Sequence, residues 1–277
     1  MTSLSVALHT FDIAHPIKSV TDFENDFFGM MEDSLLNGAR VVLFPEYSAY
    51  ALSQLVDYST PEKISNYIWT QFYPKIIALS LKYSALIEAG TAPFVRIGSK
   101  QLSNRAILAA SGKEIFSEKY ALTPWESTLV SGEKVATFEW NGIRIANLIC
   151  YDCEFPEVAV RLKKFNPHLV LVPSATYDRA GVDRVCRSAS ARAVELGAMV
   201  LVAPLVGTDL ANPVVDINLG RCAIYFPAQE TFRHETSLET EIFTSGRHSL
   251  LKTIDLDHLI EVKKLDQETK PFLKHLT

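Results

Sequence analysis

The segment RIANLICYDCEFPE, Arg144–Glu157, begins like a buried strand and then turns abruptly polar. Its first half is a continuous apolar run, which is typical of a β-strand covered on both faces. The run ends in the letters CYDC at Cys150–Cys153, and Pro156 then opens a helical pattern. In α/β folds, functional side chains gather where strands end in this way. The segment therefore predicts a strand–turn–helix unit with Cys150 at the turn.

Strand and helix patterns alternate along the rest of the chain in both directions from this unit. Strands are predicted at 4–10, 39–46, 86–94, 103–111, 113–120, 134–140, 143–150, 168–176, 198–207 and 221–228, and one begins near 250. Helices are predicted at 22–38, 61–84, 156–166 and 183–197, with a short one ending near 265. Pro74 should break or kink the second of these helices.

The order of these elements predicts a layered α/β domain with mixed sheets. Apolar strands between helices imply sheets covered on their faces. The Ser-Gly turn at 111–112 and the Asn-Gly turn at 141–142 predict hairpins, which argue against a purely parallel sheet. Because no linker or repeat divides the chain, we predict one domain over residues 1–265 and a tail over 266–277.

The amino-acid composition limits the kinds of partner that this protein can bind. The 277 residues include 27 Lys and Arg against 32 Asp and Glu, giving a net charge of −5 with no basic footprint for nucleic acid. No apolar run is long enough to cross a membrane, and we recognise no signal peptide. Four cysteines do not form a disulfide framework in a chain of this length. We therefore expect a cytoplasmic protein that acts on a small molecule.

Chemically useful side chains follow several of the predicted strands. Glu46 follows VVLFP, Lys119 follows EIFSE, and Cys150 follows IANLI. A carboxylate, an ammonium and a thiol together can make a nucleophile site with a base and an oxyanion stabiliser. Taken singly, each has an ordinary explanation as a loop acid, a surface lysine or a buried thiol.

Three segments in this order resemble the signatures of the nitrilase superfamily of carbon–nitrogen hydrolases. They are FPEYSAY at 44–50, EKYALTPWE at 118–126 and LICYDCEFPE at 148–157. The resemblance continues in ARAVELGAMVLVAPLVG at 191–207, GRCAIYFPAQE at 220–230 and TIDLDHL at 253–259. It covers roughly residues 4–260. It implies a four-layer α-β-β-α sandwich, no metal or organic cofactor, and a homodimer or larger oligomer that uses helices Pro156–Phe165 and Asp183–Leu196.

The resemblance also implies a role for each matching residue. Cys150 would be the nucleophile and Glu46 the general base, while Lys119 would stabilise the tetrahedral oxyanion. The backbone N–H of Tyr151 would be a second oxyanion donor. Glu126 would hold Lys119 and orient the substrate nitrogen.

The surroundings of this site are predicted with the same resemblance. Asp152 and Glu157 would bond the turn and neighbouring arginines, with Arg192 as the natural ion-pair partner. Candidate pocket residues are Tyr47, Trp125, Ser174, Thr176 and Arg179. Arg179 would suit a carboxylate or carbamoyl substrate.

The chain departs from the common family pattern at two places. Tyr120-Ala121 stands where many members have x-His, and Glu154 stands where many have Arg. The Cys-Tyr-Asp form resembles amidase branches more than true nitrilases, which more often carry Cys-Trp-Glu. An amide is therefore favoured over a nitrile, with small aliphatic amides, ω-amides of dicarboxylates and carbamoyl amines all retained as substrates.

Other functions remain as alternatives. Cys150 and Cys153 form a C-x-x-C pair, which in an α/β protein can be redox-active, but this explains neither Glu46 nor Lys119. A zinc site is disfavoured because the seven His show no ligand spacing. Acyl transfer to a nucleophile other than water would use the same thioester. A degenerate binding protein would have no use for Glu46, Lys119 and Cys150 together.

Overall fold

The computed structural model describes residues 3–229 and 232–264. The helices are α1 Val20–Leu36, α2 Pro61–Tyr67, α3 Tyr73–Lys82, α4 Pro156–Phe165, α5 Arg179–Leu196 and α6 Leu256–Lys264. The strands are β1 Ser3–His9, β2 Phe11–Asp12, β3 Val41–Leu43, β4 Leu86–Val95, β5 Leu102–Ala110, β6 Lys113–Glu114, β7 Ala136–Trp140, β8 Ile143–Asn147, β9 Leu169–Ser174, β10 Met199–Thr208, β11 Ile217–Asn218, β12 Ala223–Tyr225, β13 Ser237–Glu239 and β14 Ser249–Asp255. The predicted tail, 266–277, lies outside the described residues.

Within the described residues, the strands form two mixed sheets. The first has the order β14-β1-β3-β4-β5-β6, and its β1, β3 and β4 are parallel. The second has the order β13-β12-β10-β9-β8-β7, with β8, β9 and β10 parallel and with β2 and β11 paired to β10. Each sheet has parallel strands at its centre and antiparallel strands outside them. The prediction of a mixed-sheet α/β fold is therefore confirmed.

Side-chain alternation in the first sheet shows how the layers stack. Along β1, Val6 and Leu8 join the apolar core shared with the second sheet and with α4 and α5. Ala7, between them, joins a separate core with α1, α2 and α3. Because successive strand residues point to opposite faces, the first sheet lies between helices and the second sheet. The second sheet is covered in turn by α4 and α5, which completes four layers.

The predicted Asn-Gly hairpin forms as expected. Asn141 and Gly142 have φ values of 50° and 78° and join β7 to β8. Two consecutive positive φ values match the twist of the flanking strands, and Asn and Gly tolerate them best. On its other side, β8 pairs with β9 in parallel register.

Three element boundaries differ from the sequence prediction. The helix predicted from residue 183 begins at Arg179, because the Asp178 carboxylate accepts a hydrogen bond from the Gly181 N–H at 2.7 Å and caps it earlier. A π-helical turn at Ile68–Phe72 separates α2 from α3 and places Pro74 in the first turn of α3, where its missing N–H costs little. The strand predicted at 113–120 is regular only over β6, with one further bridge between Arg105 and Glu118.

One buried acid joins the two sheets. Glu88 of β4 is fully buried, and its Oε1 accepts a hydrogen bond from Nδ2 of Asn147 at the end of β8. The distance between these atoms is 2.9 Å. Burial raises the pKa of Glu88 to about 8, against a hydrogen bond from Asn147 that lowers it. Glu88 is therefore protonated at neutral pH in the folded chain.

Glu88→Gln should make the folded protein less sensitive to a rise in pH from about 4.5 to about 8. The folded pKa of Glu88 lies above its unfolded value, so its ionisation costs folding free energy progressively from about pH 4.5 to about pH 8. We expect the wild type to lose about 2–4 kcal/mol more than Glu88→Gln over this range, at ~1.4 kcal/mol per pKa unit. Urea unfolding of both chains at pH 5 and pH 8 measures the difference. Parallel pH dependence in the two chains would contradict this assignment.

Candidate active site

Cys150 lies at a sharp turn just beyond the end of β8. It begins the 3₁₀ turn Cys150–Glu154, which leads directly into α4. Its φ is +48°, a value that non-glycine residues seldom adopt and that often marks functional sites. Cys150 is 5% exposed, and its sulfur lies 3.5 Å from the carbonyl oxygen of Ala175. The turn thereby presents the sulfur at the edge of the second sheet.

Asp152 joins this turn to the segment that carries Lys119. Its Oδ2 accepts a hydrogen bond from the N–H of Ile149 at 3.0 Å. Its Oδ1 accepts from the N–H groups of Tyr120 and Ala121 at 3.1 Å and 2.6 Å. Burial raises the pKa of Asp152 to about 7, opposed by these backbone donors and by Lys119. The carboxyl fixes the spacing between the thiol and the lysine.

The predicted buried ion pair of Arg192 with Asp152 or Glu157 is wrong. Arg192 instead donates to the carbonyl oxygen of Cys153 at 3.1 Å and pairs with Glu195 at 3.0 Å. Asp152 already receives backbone N–H groups, which leave it no need for a cation. Glu157 is exposed in the first turn of α4, where a negative charge favours the helix dipole.

Lys119 and Glu46 form a buried ion pair. Glu46 follows β3, and its Oε1 lies 2.8 Å from Nζ of Lys119. The same oxygen accepts a hydrogen bond from Nδ2 of Asn104, also at 2.8 Å. Both charged side chains are 1% exposed. Oε2 of Glu46 has no hydrogen-bond partner that meets normal geometry among the described residues, while Cys150 is close enough to influence the carboxyl.

Glu126 is the second carboxylate on Lys119, and its oxygens are occupied by donors. Its Oε2 lies 2.8 Å from Nζ of Lys119 and accepts from the N–H and hydroxyl of Thr123 at 2.7 Å and 2.8 Å. Its Oε1 accepts from Nζ at 2.9 Å and from the phenol of Tyr47. Four hydrogen bonds and the ion-pair contact with Lys119 hold this carboxylate as a fixed anion.

The electrostatics of the three central groups follow from burial and from one another. Burial raises the pKa of Glu46, which Lys119 lowers and Glu126 raises again, leaving it above the usual range. Burial and the charge of Glu46 raise the pKa of the Cys150 thiol, although Lys119 opposes them. The thiol is therefore protonated at rest and lies beside a carboxyl with elevated proton affinity.

The pKa values of the ammonium and the second acid move the other way. Burial alone would lower the pKa of Lys119, but the two carboxylates outweigh it and raise the pKa. Burial would raise the pKa of Glu126, but Lys119 and the hydrogen bonds bring it below the usual range. Lys119 and Glu126 are consequently both charged at neutral pH.

A β-bulge in β4 packs against the backbone around Glu46. The pairing of β4 with β5 shifts register between Glu88 and Thr91. The hydroxyl oxygen of Thr91 accepts from the N–H of Tyr47 at 2.9 Å, holding Tyr47 at a φ of 60°. Gly90 lies in the bulge with a φ of 79°, against the backbone of Pro45. The bulge therefore determines where Glu46 and Tyr47 lie.

Two adjoining cavities open onto this site. The aromatic cavity, of about 510 Å³, contacts Glu126 and is lined by Tyr47, Tyr50, Trp125, Tyr177 and aliphatic side chains. The Cys150 cleft, also of about 510 Å³, contains Cys150, Tyr151 and Lys119. Trp125, Ala175 and Tyr177 line both. The Cys150 thiol thus lies beside the boundary between the two cavities.

The remaining predicted pocket residues divide between these spaces and the surroundings. Thr176 lines the Cys150 cleft, although its hydroxyl donates to the carbonyl of Leu219 at 2.6 Å. Ser174 is buried, donates to the carbonyl of Ala203 at 3.3 Å and lines neither cavity. Arg179 is exposed at the first position of α5 and also lies outside both cavities. It is not placed to clamp a substrate in either space.

Asn104 and Thr123, which donate hydrogen bonds to Glu46 and Glu126, were not identified from the sequence. Asn104, which donates to Glu46, is a polar residue at the start of an apolar strand pattern. Thr123 and Glu126 have the S/T-x-x-E spacing of a capping box, and this signal could have indicated their mutual bonds. Cys153 is buried and its thiol lies 3.8 Å from the carbonyl of Val185, inside the protein.

No helix in residues 3–229 and 232–264 is long and apolar enough to cross a membrane. No group of three or more His, Cys, Asp and Glu side chains in the same residues is arranged to hold a metal ion.

A thiol, an ammonium and two carboxylates lie together at the edge of the two sheets. The class of protein with this site is given by a family comparison. Residues 29–262 match the family model described as carbon-nitrogen hydrolase. The chain belongs to this family, and its resemblance to the nitrilase superfamily is confirmed.

Individual proteins give more distant similarities. "Probable hydrolase YhcX" of Bacillus subtilis (strain 168) is 27% identical over 235 residues, covering 80% of this chain and 45% of that protein. The "(R)-stereoselective amidase" of Pseudomonas sp is 29% identical over 160 residues, covering 56% and 58%. This chain thus matches about half the length of these curated relatives.

Solved structures support the fold. A single-site mutant of the amidase from Nesterenkonia sp. AN1 shares 19% identity with this chain, with a TM-score of 0.65 and coverage of 99% and 100%. In that structure, acrylamide has undergone Michael addition at the active-site cysteine of the Nesterenkonia enzyme. At this identity the comparison establishes the common fold.

Proposed function

We propose that this protein hydrolyses the carbon–nitrogen bond of a small amide through a thioester on Cys150. The observation that carries the proposal is the difference between the two carboxylates around Lys119. Both oxygens of Glu126 are held by donors, whereas Oε2 of Glu46 accepts no regular hydrogen bond among the described residues. Glu46 therefore has an oxygen available for a proton, and Glu126 does not. This difference supports Glu46 as the general base.

The first half of the reaction forms the acyl-enzyme. Glu46 takes the proton from the Cys150 thiol as the sulfur attacks the amide carbon. The carbonyl oxygen becomes an oxyanion stabilised by the Lys119 ammonium and the backbone N–H of Tyr151. The proton on Glu46 passes to the nitrogen, the carbon–nitrogen bond breaks, and ammonia or an amine leaves. The acyl group stays on sulfur as a thioester.

The second half restores the enzyme. Glu46 takes a proton from water as the water oxygen attacks the thioester carbon. The same donors stabilise the second oxyanion, and the carbon–sulfur bond then breaks. The sulfur leaves as a thiolate and regains its proton from Glu46, while the carboxylic acid departs. Overall, one water is consumed for each amide cleaved, and no metal or organic cofactor takes part.

Two comparisons support an amide rather than a nitrile as the substrate. One sequence relative is named as a stereoselective amidase, and one structural relative is an amidase modified at its cysteine by acrylamide. The Cys150-Tyr151-Asp152 sequence agrees with this preference.

Ammonia release from a panel of primary amides tests the proposal. The wild type should release ammonia, and Cys150→Ala should release none, because the attacking sulfur is gone. Mass spectrometry of the wild type with a slow substrate should show one acyl group on Cys150. Cys186→Ala is the matched control, since it removes a thiol of α5 that lies outside both cavities. Undiminished release by Cys150→Ala would refute the mechanism.

We also propose a homodimer that uses the outer faces of α4 and α5. Val160 and Val194 on these helices are 55% and 38% exposed, although the opposite faces are buried in the protein's own core. Light scattering distinguishes a particle of 30.9 kDa from one of twice that mass. A monomer at micromolar concentration would exclude this proposal.

A further inference from the structure

The aromatic cavity beside Glu126 is walled mainly by apolar side chains. Its volume of about 510 Å³ is within the usual range for small-molecule sites. Tyr47, Tyr50, Leu102, Leu129, Val214 and Val215 form much of the wall. Trp125 and Tyr177 stand at the boundary with the Cys150 cleft and are 52% and 61% exposed. Exposed aromatic side chains at this boundary favour an apolar occupant.

The charged residues described in the lining of this cavity are acids. Among its described lining residues, none is Lys, Arg or His, whereas Glu126 and Asp216 are both acids. The buried ammonium beside the cavity, on Lys119, already contacts two carboxylates. A carboxylate entering the aromatic cavity would lose hydration and find no unpaired cation there in return. Burying an unpaired charge is among the most unfavourable steps in binding.

The Cys150 cleft offers a carboxylate little more. Beyond Lys119, its one cation among the described lining residues is Arg184. Nε of Arg184 lies 3.4 Å from Oε2 of Glu154, which therefore already balances its charge. Asp178 adds another acid to the same lining. Taken together, the described linings of the two cavities carry more acids than bases.

We infer that the substrate of this enzyme carries a bulky, uncharged apolar group next to its amide, and that amides bearing a carboxylate are rejected. This inference rests on the proposed function and selects among the substrates that it allows. Aryl-alkyl and branched aliphatic amides fit this class. The ω-amides of dicarboxylates and the carbamoyl derivatives of amino acids fall outside it, because each presents a carboxylate to described walls whose two cations, Lys119 and Arg184, already contact carboxylates.

A pair of substrates with matched shapes tests the inference. In 5-methylhexanamide an isopropyl group occupies the place of the carboxylate of glutaramate, so the two differ chiefly in charge. We expect kcat/KM for 5-methylhexanamide to exceed that for glutaramate by about 100-fold or more in the wild type. The kcat/KM for 3-phenylpropanamide should be close to that for 5-methylhexanamide. A preference for glutaramate would overturn the inference.

A charge added at the boundary should change this preference. Tyr177 is largely exposed, so Tyr177→Arg should fold and should bring a guanidinium to both cavities. We expect the preference for the neutral amide to fall by about tenfold or more. Leu210→Arg is the matched control, since Leu210 is 76% exposed and lies outside both cavities. An equal change in both variants would contradict a local effect.

Protection of Cys150 separates this inference from the proposed function. Each amide is added in excess, and the rate of Cys150 alkylation by iodoacetamide is measured without requiring turnover. Protection by 5-methylhexanamide and not by glutaramate supports the apolar site even if no ammonia is released. Equal protection by both, or stronger protection by glutaramate, overturns it. If no ammonia is released from either amide or from the wider panel, this result contradicts the proposed hydrolysis and leaves the inference about the apolar site to the protection experiment.

Discussion

Glu46→Gln is expected to lower amide turnover by about 10³-fold or more. The glutamine keeps the size of the side chain and its carbonyl can still accept from Lys119, but it cannot take a proton from Cys150. Lys119 retains Glu126 as a counter-ion, so the variant should fold. Ammonia release gives kcat/KM, and thermal melting checks the fold. Alkylation of Cys150 by iodoacetamide should slow as well, because we expect the loss of the proton acceptor to outweigh the lower thiol pKa that follows from removing the charge of Glu46.

Glu126→Gln is the matched variant, since it removes the other carboxylate on Lys119. Its turnover should also fall, because the amide group offers fewer acceptors to Lys119, Tyr47 and Thr123. Alkylation of Cys150 should remain within about tenfold of the wild type, because Glu46 is still present to take the thiol proton. If alkylation slows only in Glu126→Gln, the two acids have been assigned the wrong roles.

Gly90→Ala is expected to destabilise the protein by about 3 kcal/mol or more. A Cβ at this position would lie 2.1 Å from Oγ of Ser48 and 2.2 Å from the carbonyl oxygen of Pro45. The φ of +79° adds strain for any residue with a side chain. Because Pro45 precedes Glu46, any relief of the clash displaces the base. Urea unfolding measures the loss, and the folded fraction should also lose activity.

Gly142→Ala separates the steric clash from the backbone strain. Gly142 has nearly the same φ, +78°, but a Cβ there would meet nothing within 4 Å. This variant should lose only about 1 kcal/mol, which is the usual cost of a side chain at positive φ. Equal losses in the two variants would show that the contact with Pro45 and Ser48 does not matter.

The elements that carry the site were largely predictable because each depends on local chemistry. Apolar runs predicted the cores of β3 and β8, and the residues just beyond their ends include Glu46 and Cys150. The Asn-Gly turn was predictable for the same reason, since two residues determine its backbone. These features require no knowledge of which distant residues meet.

Contacts between distant segments were harder to predict. The phenol of Tyr47 reaches Glu126 across 79 positions, and Asn104 reaches Glu46 across 58. Arg192 was predicted to pair with Asp152 or Glu157, because the sequence does not show that backbone N–H groups surround Asp152. The shapes of the cavities depend on several loops at once, so their apolar character became visible only in the folded chain.

Lys119 also restricts how this chain can lose catalysis by mutational drift. Its ammonium is buried between Glu46 and Glu126, so each acid removed weakens the compensation of a charge that water cannot reach. Removal of both would bury an unpaired cation, at a cost of roughly 3–5 kcal/mol. The lysine that we propose as the oxyanion stabiliser thus ties the retention of the proposed activity to the retention of the fold.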